Sequence, residues 1–463
     1  MKVLAFSILV CGTSLVTGML TIALSSAGSP ALVILLFPAL AVAVLIVLHP
    51  LLGLAALISL SQLDAVANII SRFLPVSTYI LLTGAVLLGI ALDYRRRAHG
   101  ITLGPEIPAL RYAMLFVLWG LIATLYASPR TVAVAEWNPL FGAIILTYFI
   151  VYLADTREKL FFLMLVHVGS SLFQALVLAY DTVTGTALLG STAVATDLSQ
   201  FEGHIRSAGA SDRDPMNAAA VLVTGTTMAL VLFLRYGRWR WLTGLTFIVG
   251  SGGAVLSLTR SAGIILGFSV FWLIWLYRRH RRFPAFIIVG SLIVLIALQL
   301  VPEEYWERAA GLLNPSQERS LDIRLAHNVV GWELLKDNWL TGIGPGTFPY
   351  HFLSDEFRYV EGRYMYPEAL HNSYLRVAVE YGVIGFLTWM AFIGSSLRAL
   401  RPAFQPSMES ELRVAALAIL IPTVGFLLFL IIASPYAHRI TWILPGFAIA
   451  AGRIALLNQR RIT

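Results

Sequence analysis

Long apolar runs follow one another along most of this chain, and many have the length that a membrane-spanning helix needs. A bilayer core requires about 20 mostly apolar residues per helix. The sequence then predicts an all-α polytopic integral membrane protein with about 12–14 transmembrane helices. The predicted spans are residues 4–26, 30–48, 51–72, 77–93, 109–127, 133–154, 159–179, 216–235, 241–259, 262–277, 284–301, 373–397, 412–433 and 440–457. Span 51–72 is the weakest, because Gln62, Asp64 and Asn68 interrupt it.

One long polar interval, residues 302–372, separates a region of spans and short loops (1–301) from three C-terminal spans and a tail (373–463). We call this interval the cap and expect it to carry the catalytic residues, because it is rich in charged residues, Trp, Tyr and Pro. Within it, residues 322–335 have the spacing of a helix. The apolar positions of this predicted helix are Leu325, Val329, Trp332 and Leu335.

The basic residues predict which side of the membrane each loop occupies. If both termini are cytoplasmic, nearly every Arg cluster falls in a cytoplasmic segment, as the positive-inside rule requires. These clusters lie at residues 95–97, 157–159, 235–240, 278–282, 398–401 and 460–461. The cap and the loop at 180–215 then lie on the opposite, non-cytoplasmic side.

Composition agrees with a membrane protein and excludes several other classes. The chain is 58% hydrophobic and 13% charged, against about 25% charged residues in soluble domains. The net charge of +8 comes from the topological Arg clusters, so we expect no nucleic-acid partner. The single cysteine, Cys11, excludes an intramolecular disulfide and a Cys-ligated metal site.

Three arginines on the predicted non-cytoplasmic side stand apart from these clusters. Arg206 lies in the loop 180–215, Arg260 ends the span 241–259, and Arg324 lies in the cap. An Arg near hydrocarbon is costly without a partner, and a guanidinium matches diphosphate or carboxylate oxygens. The competing interpretation is structural: each arginine pairs with a nearby acid or reaches the lipid headgroups. The nearby acids are Asp212, Asp214 and Asp322.

His371 is the candidate general base, at the junction of the cap with the next span. Imidazole titrates near neutral pH, which suits it to accept a proton from a hydroxyl nucleophile. His327 and His351, also in the cap, compete for this role, and a single histidine is more often structural. A mechanism based on carboxylates stays open at this point.

Several common catalytic signatures are missing from the sequence. It contains no G-x-x-x-x-G-K-[ST] or G-x-G-x-x-G opening a helix, and no H-E-x-x-H. Asp212-Arg213-Asp214 has the form of a metal-binding acidic pair, but it lies in a loop on the non-cytoplasmic side, where nucleotide sugars are not expected. We therefore predict no cofactor and no metal.

A series of motifs runs through roughly residues 200–400. They are Thr259-Arg260-Ser261, Asp322-Ile323-Arg324, Trp332-Glu333-Leu334-Leu335, Asn338–Phe348 with its core Gly342-Ile343-Gly344-Pro345-Gly346, His371-Asn372-Ser373-Tyr374-Leu375 and Glu380-Tyr381-Gly382-Val383-Ile384-Gly385. In order and spacing they resemble the O-antigen ligase/polymerase superfamily of bacterial inner membranes. The resemblance implies metal-independent glycosyl transfer at the periplasmic face of that membrane.

The resemblance also implies substrates and residue roles. The donor would be a glycan on undecaprenyl diphosphate, embedded among membrane lipids, and a ligase would pass it to a sugar hydroxyl of the lipid A–core. His371 would be the base on that hydroxyl, while Arg260 and Arg324 would hold the diphosphate and Arg206 would add an auxiliary contact. We expect a ligase of lipopolysaccharide biosynthesis; the alternatives are a polymerase, which joins lipid-linked glycans, and a lipid-linked oligosaccharide transporter. The sequence leaves the oligomeric state open.

Overall fold

The computed structural model describes residues 40–72, 77–96, 107–189, 207–211, 215–279, 303, 305–306, 319–363 and 368–462. Within these ranges every regular element is a helix and none is a strand, which confirms the all-α prediction. Seven of these helices are long and apolar enough to cross a membrane, or eight if one bent pair forms a single span. The predicted spans 4–26 and 284–301, and most of 30–48, lie outside the described residues.

The helix boundaries follow the predicted spans closely. The helices are α1 Leu40–Leu48, α2 Pro50–Leu60, α3 Asp64–Ser71, α4 Thr78–Arg96, α5 Pro108–Tyr126, α6 Arg130–Leu153, α7 Arg157–Thr184, α8 Pro215–Arg235, α9 Arg240–Leu256, α10 Arg260–Tyr277, α11 Arg319–Asp337, α12 Phe348–Phe352, α13 Ser373–Ala399, α14 Ser410–Phe429 and α15 Ile440–Ile462. The helices that meet the length and hydropathy test for a span are α5–α8 and α13–α15.

The predicted third span, 51–72, is wrong as one continuous helix. It divides into α2 and α3, separated by residues 61–63. The side chains of Ser61 and Gln62 both donate to the carbonyl of Ile58, so they satisfy a backbone acceptor that the next helical turn would otherwise use. Upstream, α1 and α2 meet at an angle of 117°, with Pro50 opening α2.

The chain divides into two compact units, the first comprising residues 1–57 and 66–102 and the second residues 58–65 and 103–463. In the second unit, the long helices alternate in direction. At one end, the last residue of α5, Tyr126, donates to the carbonyl of Thr341 in the cap at 2.5 Å. At the same end, the N–H of Ser373, which opens α13, donates to the carbonyls of Leu430 and Ala433, just after α14. We call this the cap end.

The opposite end of the same unit holds the other helix termini. Arg157, which opens α7, forms ion pairs with Glu409 and Glu411 beside the start of α14, at 2.7 and 3.1 Å. Arg453, late in α15, donates to the carbonyl of Val151, late in α6. Successive helices therefore begin at opposite ends of this unit, as the predicted order of spans requires.

The cap contains the predicted helix, α11, but with a different face buried. The buried positions pack on apolar residues of α12, the segment before α13, and α13 itself. They are Ala326, Val330 and Leu334, and Ile323 of the same helix is buried as well. Of the predicted apolar positions, Leu325 is 62% exposed and Trp332 57%. The predicted and the observed sets of apolar positions both have helical spacing. The position of the neighbouring cap residues and of α13 therefore decides which set is buried.

Helix α13 is broken inside its apolar stretch, at Gly382, where φ is 66° and ψ −174°. The Gly-rich turn of the cap packs against this break: Ile343 N–H donates to Val379 O and Gly344 N–H to Glu380 O, both at 2.9 Å. On the other side, Trp119 Nε1 donates to Tyr381 O at 2.6 Å. Non-helical backbone at membrane depth persists only where protein groups satisfy it, as here. The break therefore ties the cap to the membrane-spanning bundle.

Candidate active site

His371 is held rigidly at the start of α13. The next residue, Asn372, caps the helix, with its side-chain oxygen accepting from the N–H groups of Tyr374 and Leu375 at 3.1 Å each. The residue before it, Leu370, is fully buried in the apolar core of the cap. The imidazole is thus fixed between the core of the cap and the bundle, with its side chain 20% exposed.

A glutamate that sequence reasoning overlooked lies against this histidine. Glu368 Oε1 is 3.0 Å from His371 Nε2, and the two residues are three positions apart. A carboxylate hydrogen-bonded to one imidazole nitrogen selects the tautomer and orients the ring. The only sequence signal was this short spacing, which does not distinguish a functional pair from two solvated side chains.

A second histidine, His327 of α11, lies beside His371 and Glu368; we call these three residues, together with Arg324, the cap cluster. The ring centroid of His327 is 5.4 Å from that of His371, and its own side chain is fully buried. It packs edge-on against Phe352 at 4.5 Å. Burial above all, together with the nearby His371 and Arg324, lowers the pKa of His327 to about 3 against the opposing effect of Glu368. His327 is therefore a neutral imidazole at neutral pH.

Arg324 precedes His327 by almost one turn of α11 and lies close enough to act on its charge. The side chain of Arg324 is partly buried. The structure thus brings together two of the predicted site residues, Arg324 and His371, along with the competing histidine and the overlooked Glu368. The combination provides a base, a carboxylate and a cation in one place.

The third cap histidine, His351, belongs to different surroundings. Its ring hydrogen-bonds to the backbone of Ser128, in the turn between α5 and α6. Burial lowers the pKa of His351, partly offset by this hydrogen bond and by the charge of Glu356. Of the three histidines considered, His371 is the one that combines partial exposure with a carboxylate partner.

Arg260 opens α10, two residues after Leu258, whose φ is +49°. Helix α10 packs on α14, where Ile265 and Ser269 lie against Gly425. Gly425 is close to the cap end of α14, and α10 begins a few residues before Ile265. Arg260 therefore lies at the cap end of the bundle, the same end as His371. Arg206 lies outside the described residues.

The comparison with known families assigns this part of the chain. The family model described as O-antigen ligase matches residues 245–390. This stretch of the chain belongs to the O-antigen ligase superfamily. A search of the curated proteins returns no match. The matched range includes Arg260, Arg324, Glu368 and His371, so the family predicted from the motifs is confirmed over the segment that holds the site.

A buried ionic cluster that the sequence analysis missed joins the end of the matched segment to residues outside it. Arg376, on α13, donates to Glu380 at 2.9 Å, to Glu136 of α6 at 3.0 Å and to the carbonyl of Ser434 at 3.3 Å. Tyr436 donates to Glu380 at 2.7 Å, and the guanidinium lies 4.7 Å above the ring of this tyrosine. Glu136 lies within the predicted span 133–154, and its partners Arg376 and Tyr436 lie 240 or more positions away in the sequence, so the sequence did not indicate the cluster.

This cluster lies next to the contact between α13 and the Gly-rich turn. The backbone N–H of Gly346 donates to the Glu380 side chain. Arg376 lies on the first turn of α13, five positions after His371. We interpret the cluster as the support that fixes the start of α13, and with it the position of His371.

A further polar contact at the cap end involves another residue that had seemed isolated within a span. Asp64, at the start of α3, lies 3.1 Å from His438 and 3.7 Å from Arg439, both between α14 and α15. The glutamine of α7, Gln174, hydrogen-bonds to the backbone at Ala208 and Ala210. Asp64 and Gln174 therefore each join a helix to a loop.

Proposed function

We propose that this protein is an O-antigen ligase of the bacterial inner membrane, with its cap in the periplasm. It transfers a glycan from undecaprenyl diphosphate to a sugar hydroxyl of the lipid A–core, without a metal. The observation that carries the proposal is the meeting of His371, Glu368 and Arg324 within an O-antigen ligase domain, at one end of a membrane-spanning bundle. No nucleotide is expected in the periplasm, so the activated leaving group must arrive on the lipid-linked donor.

His371 acts as the general base in this proposal. With Nε2 engaged by Glu368, the ring takes the proton of the acceptor hydroxyl through Nδ1. The Glu368 carboxylate holds the ring in this orientation and stabilises the imidazolium that forms. His327 does not serve as the base, because its fully buried side chain cannot reach an acceptor sugar.

The arginines act on the leaving group. As the acceptor oxygen bonds to the anomeric carbon of the donor sugar, the bond from this carbon to the diphosphate oxygen breaks, and the electron pair leaves with the diphosphate. Arg324 and Arg260 bind the diphosphate and offset the negative charge that develops, with Arg206 as an auxiliary contact. The undecaprenyl tail lies among membrane lipids against the apolar surfaces of the spans.

A transfer assay tests this function. Purified protein would receive the undecaprenyl-diphosphate glycan with lipid A–core, or the donor alone, in the presence of a chelator. Transfer to the lipid A–core supports a ligase, chain growth with the donor alone would instead identify a polymerase, and absence of both reactions would contradict glycosyl transfer.

Variants assign the roles in the same assay. We expect His371→Gln, Arg324→Ala and Arg260→Ala each to lower the rate by at least about 100-fold, the usual effect of losing a base or a charge-stabilising donor. His351→Gln and Arg358→Ala, in the same cap but outside the cluster, are the matched controls and should stay close to the wild-type rate. Full activity in His371→Gln would refute the base assignment.

A further inference from the structure

Three potential metal ligands converge in the cap. One ring nitrogen of His327, one of His371 and a carboxylate oxygen of Glu368 all lie within 4.8 Å of one another. The side chains come from two separate segments, α11 and the residues just before α13, so the fold holds them together across the core of the cap. Two imidazoles and one carboxylate form a ligand set that Zn²⁺ accepts in proteins, with a fourth position left for water.

The state of His327 points to a ligand. Neither of its ring nitrogens has a hydrogen-bond partner among the described residues, although the side chain is fully buried. Leaving a buried polar group unsatisfied is destabilising, and nothing in the proposed transfer reaction uses this residue. Its depressed pKa keeps the ring neutral, which is the form that binds a metal.

We propose that His327, Glu368 and His371 form an inhibitory binding site for a divalent transition metal of the Zn²⁺ class. Coordination needs only small movements of these side chains, because Glu368 Oε1 and His371 Nε2 already lie 3.0 Å apart, close to the spacing of two ligands on one zinc ion. The positive charge of Arg324 next to His327 opposes a second cation, so we expect reversible binding.

Metal binding would stop the reaction by occupying the base. A neutral imidazole carries one N–H, so a metal on Nε2 of His371 leaves the proton on Nδ1, and neither nitrogen can then accept a proton from the acceptor hydroxyl. The metal would also take the carboxylate of Glu368 away from the ring. This inhibition rests on the proposed role of His371, whereas the site itself does not.

Cobalt binding tests the site without any enzymatic assay. Full-length protein freed of metal by a chelator would be titrated with Co²⁺, with visible absorption as the readout and displacement by Zn²⁺ as the specificity check. We expect His327→Leu, which keeps an apolar core side chain, and Glu368→Gln each to remove one bound Co²⁺ per chain. His351→Leu, the control in the same cap, should retain it, and unchanged binding in both His327→Leu and Glu368→Gln would overturn the site.

The transfer assay then tests the inhibition. We expect Zn²⁺ to suppress transfer by the wild type and EDTA to restore it, while His327→Leu transfers at the wild-type rate and needs at least about tenfold more Zn²⁺ for the same inhibition. Stimulation by Zn²⁺, or no effect on a protein that binds Co²⁺, would overturn the inhibitory role. Absence of transfer under all conditions would count against the proposed function, and cobalt binding would still decide the site.

Discussion

Arg376 shows how a single charged residue is accommodated inside the bundle. Its guanidinium is placed between two glutamates, from α6 and α13, and also donates to a backbone carbonyl. A buried ion pair contributes modestly relative to an apolar replacement of both partners, but the loss of one partner leaves an uncompensated charge. The stability of this end of the protein therefore depends on Arg376 more than on an exposed arginine of the same helix.

Replacing Arg376 should destabilise the protein strongly. We expect Arg376→Met to cost about 3–5 kcal/mol, because Glu136 and Glu380 lose their cation while still buried. Thermal unfolding in detergent would measure the effect. Arg398→Met, at the exposed end of α13, is the matched control and should unfold near the wild-type temperature. Equal melting temperatures for the two variants would show that the cluster adds no stability.

In the proposed mechanism, Glu368 acts through His371 by holding its ring in place. In Glu368→Gln the ring loses its carboxylate partner, so we expect kcat to fall by about 100-fold, while KM for the lipid-linked donor changes little. Glu361→Gln, an exposed glutamate of the same cap, should leave both constants unchanged. A change confined to KM, or a loss of folding equal in both variants, would contradict an orienting role.

At the scale of elements, the broken helix α13 and the Gly-rich turn form one unit. The turn enters the break, and each side supplies the backbone groups that the other lacks. Gly382 makes this possible, because its backbone conformation is essentially restricted to glycine, and a Cβ at this position would overlap the carbonyl oxygen of Leu340. The same helix carries Arg376 on the N-terminal side of the break and begins two residues after His371, so the fit of the turn positions the site as well.

Gly382→Ala should therefore loosen the attachment of the cap. We expect a loss of at least about 1–3 kcal/mol from backbone strain alone, with lower transfer activity. Gly394→Ala tests the same substitution in the helical part of α13, where nothing lies within 4 Å of an added Cβ. This control should be neutral or slightly stabilising, since alanine favours a helix by about 1 kcal/mol over glycine. Similar melting temperatures for both variants would contradict the role given to the break.

At the scale of the whole molecule, charge sets the orientation in the membrane. In the second unit, the end opposite the cap carries several arginines beside helix termini, including Arg235, Arg278 and Arg401. The positive-inside rule then predicts that this end is cytoplasmic and the cap periplasmic. The proposed base, its carboxylate partner and the arginines of the cap end would then all face the periplasm, where we propose that the transfer takes place.

The single native cysteine makes this orientation easy to test. In a Cys11→Ser background, Glu361→Cys in the cap should react with a membrane-impermeant maleimide added to spheroplasts. Glu409→Cys, at the opposite end, should react only after the membrane is permeabilised. The reverse pattern would place the cap in the cytoplasm and exclude the proposed periplasmic reaction.

The sequence by itself determined the class of the protein, seven of its predicted spans and the family of its central segment. These features are local: an apolar run of span length needs a helix in a bilayer whatever surrounds it, and the motifs keep their order along the chain. The same local signals pointed to His371 and Arg324, which the structure brings together.

Only the tertiary structure decided which groups face one another. Glu136 and Arg376 meet across 240 positions, and no periodicity of either segment contains this contact. The sequence also did not determine which face of α11 is buried, because two sets of apolar positions have the same helical spacing. The packing of the cap buries Ala326, Val330 and Leu334 and leaves Leu325 and Trp332 exposed. Glu368 and His327 acquire their roles in the same way, because burial and distance depend on the neighbours that folding supplies.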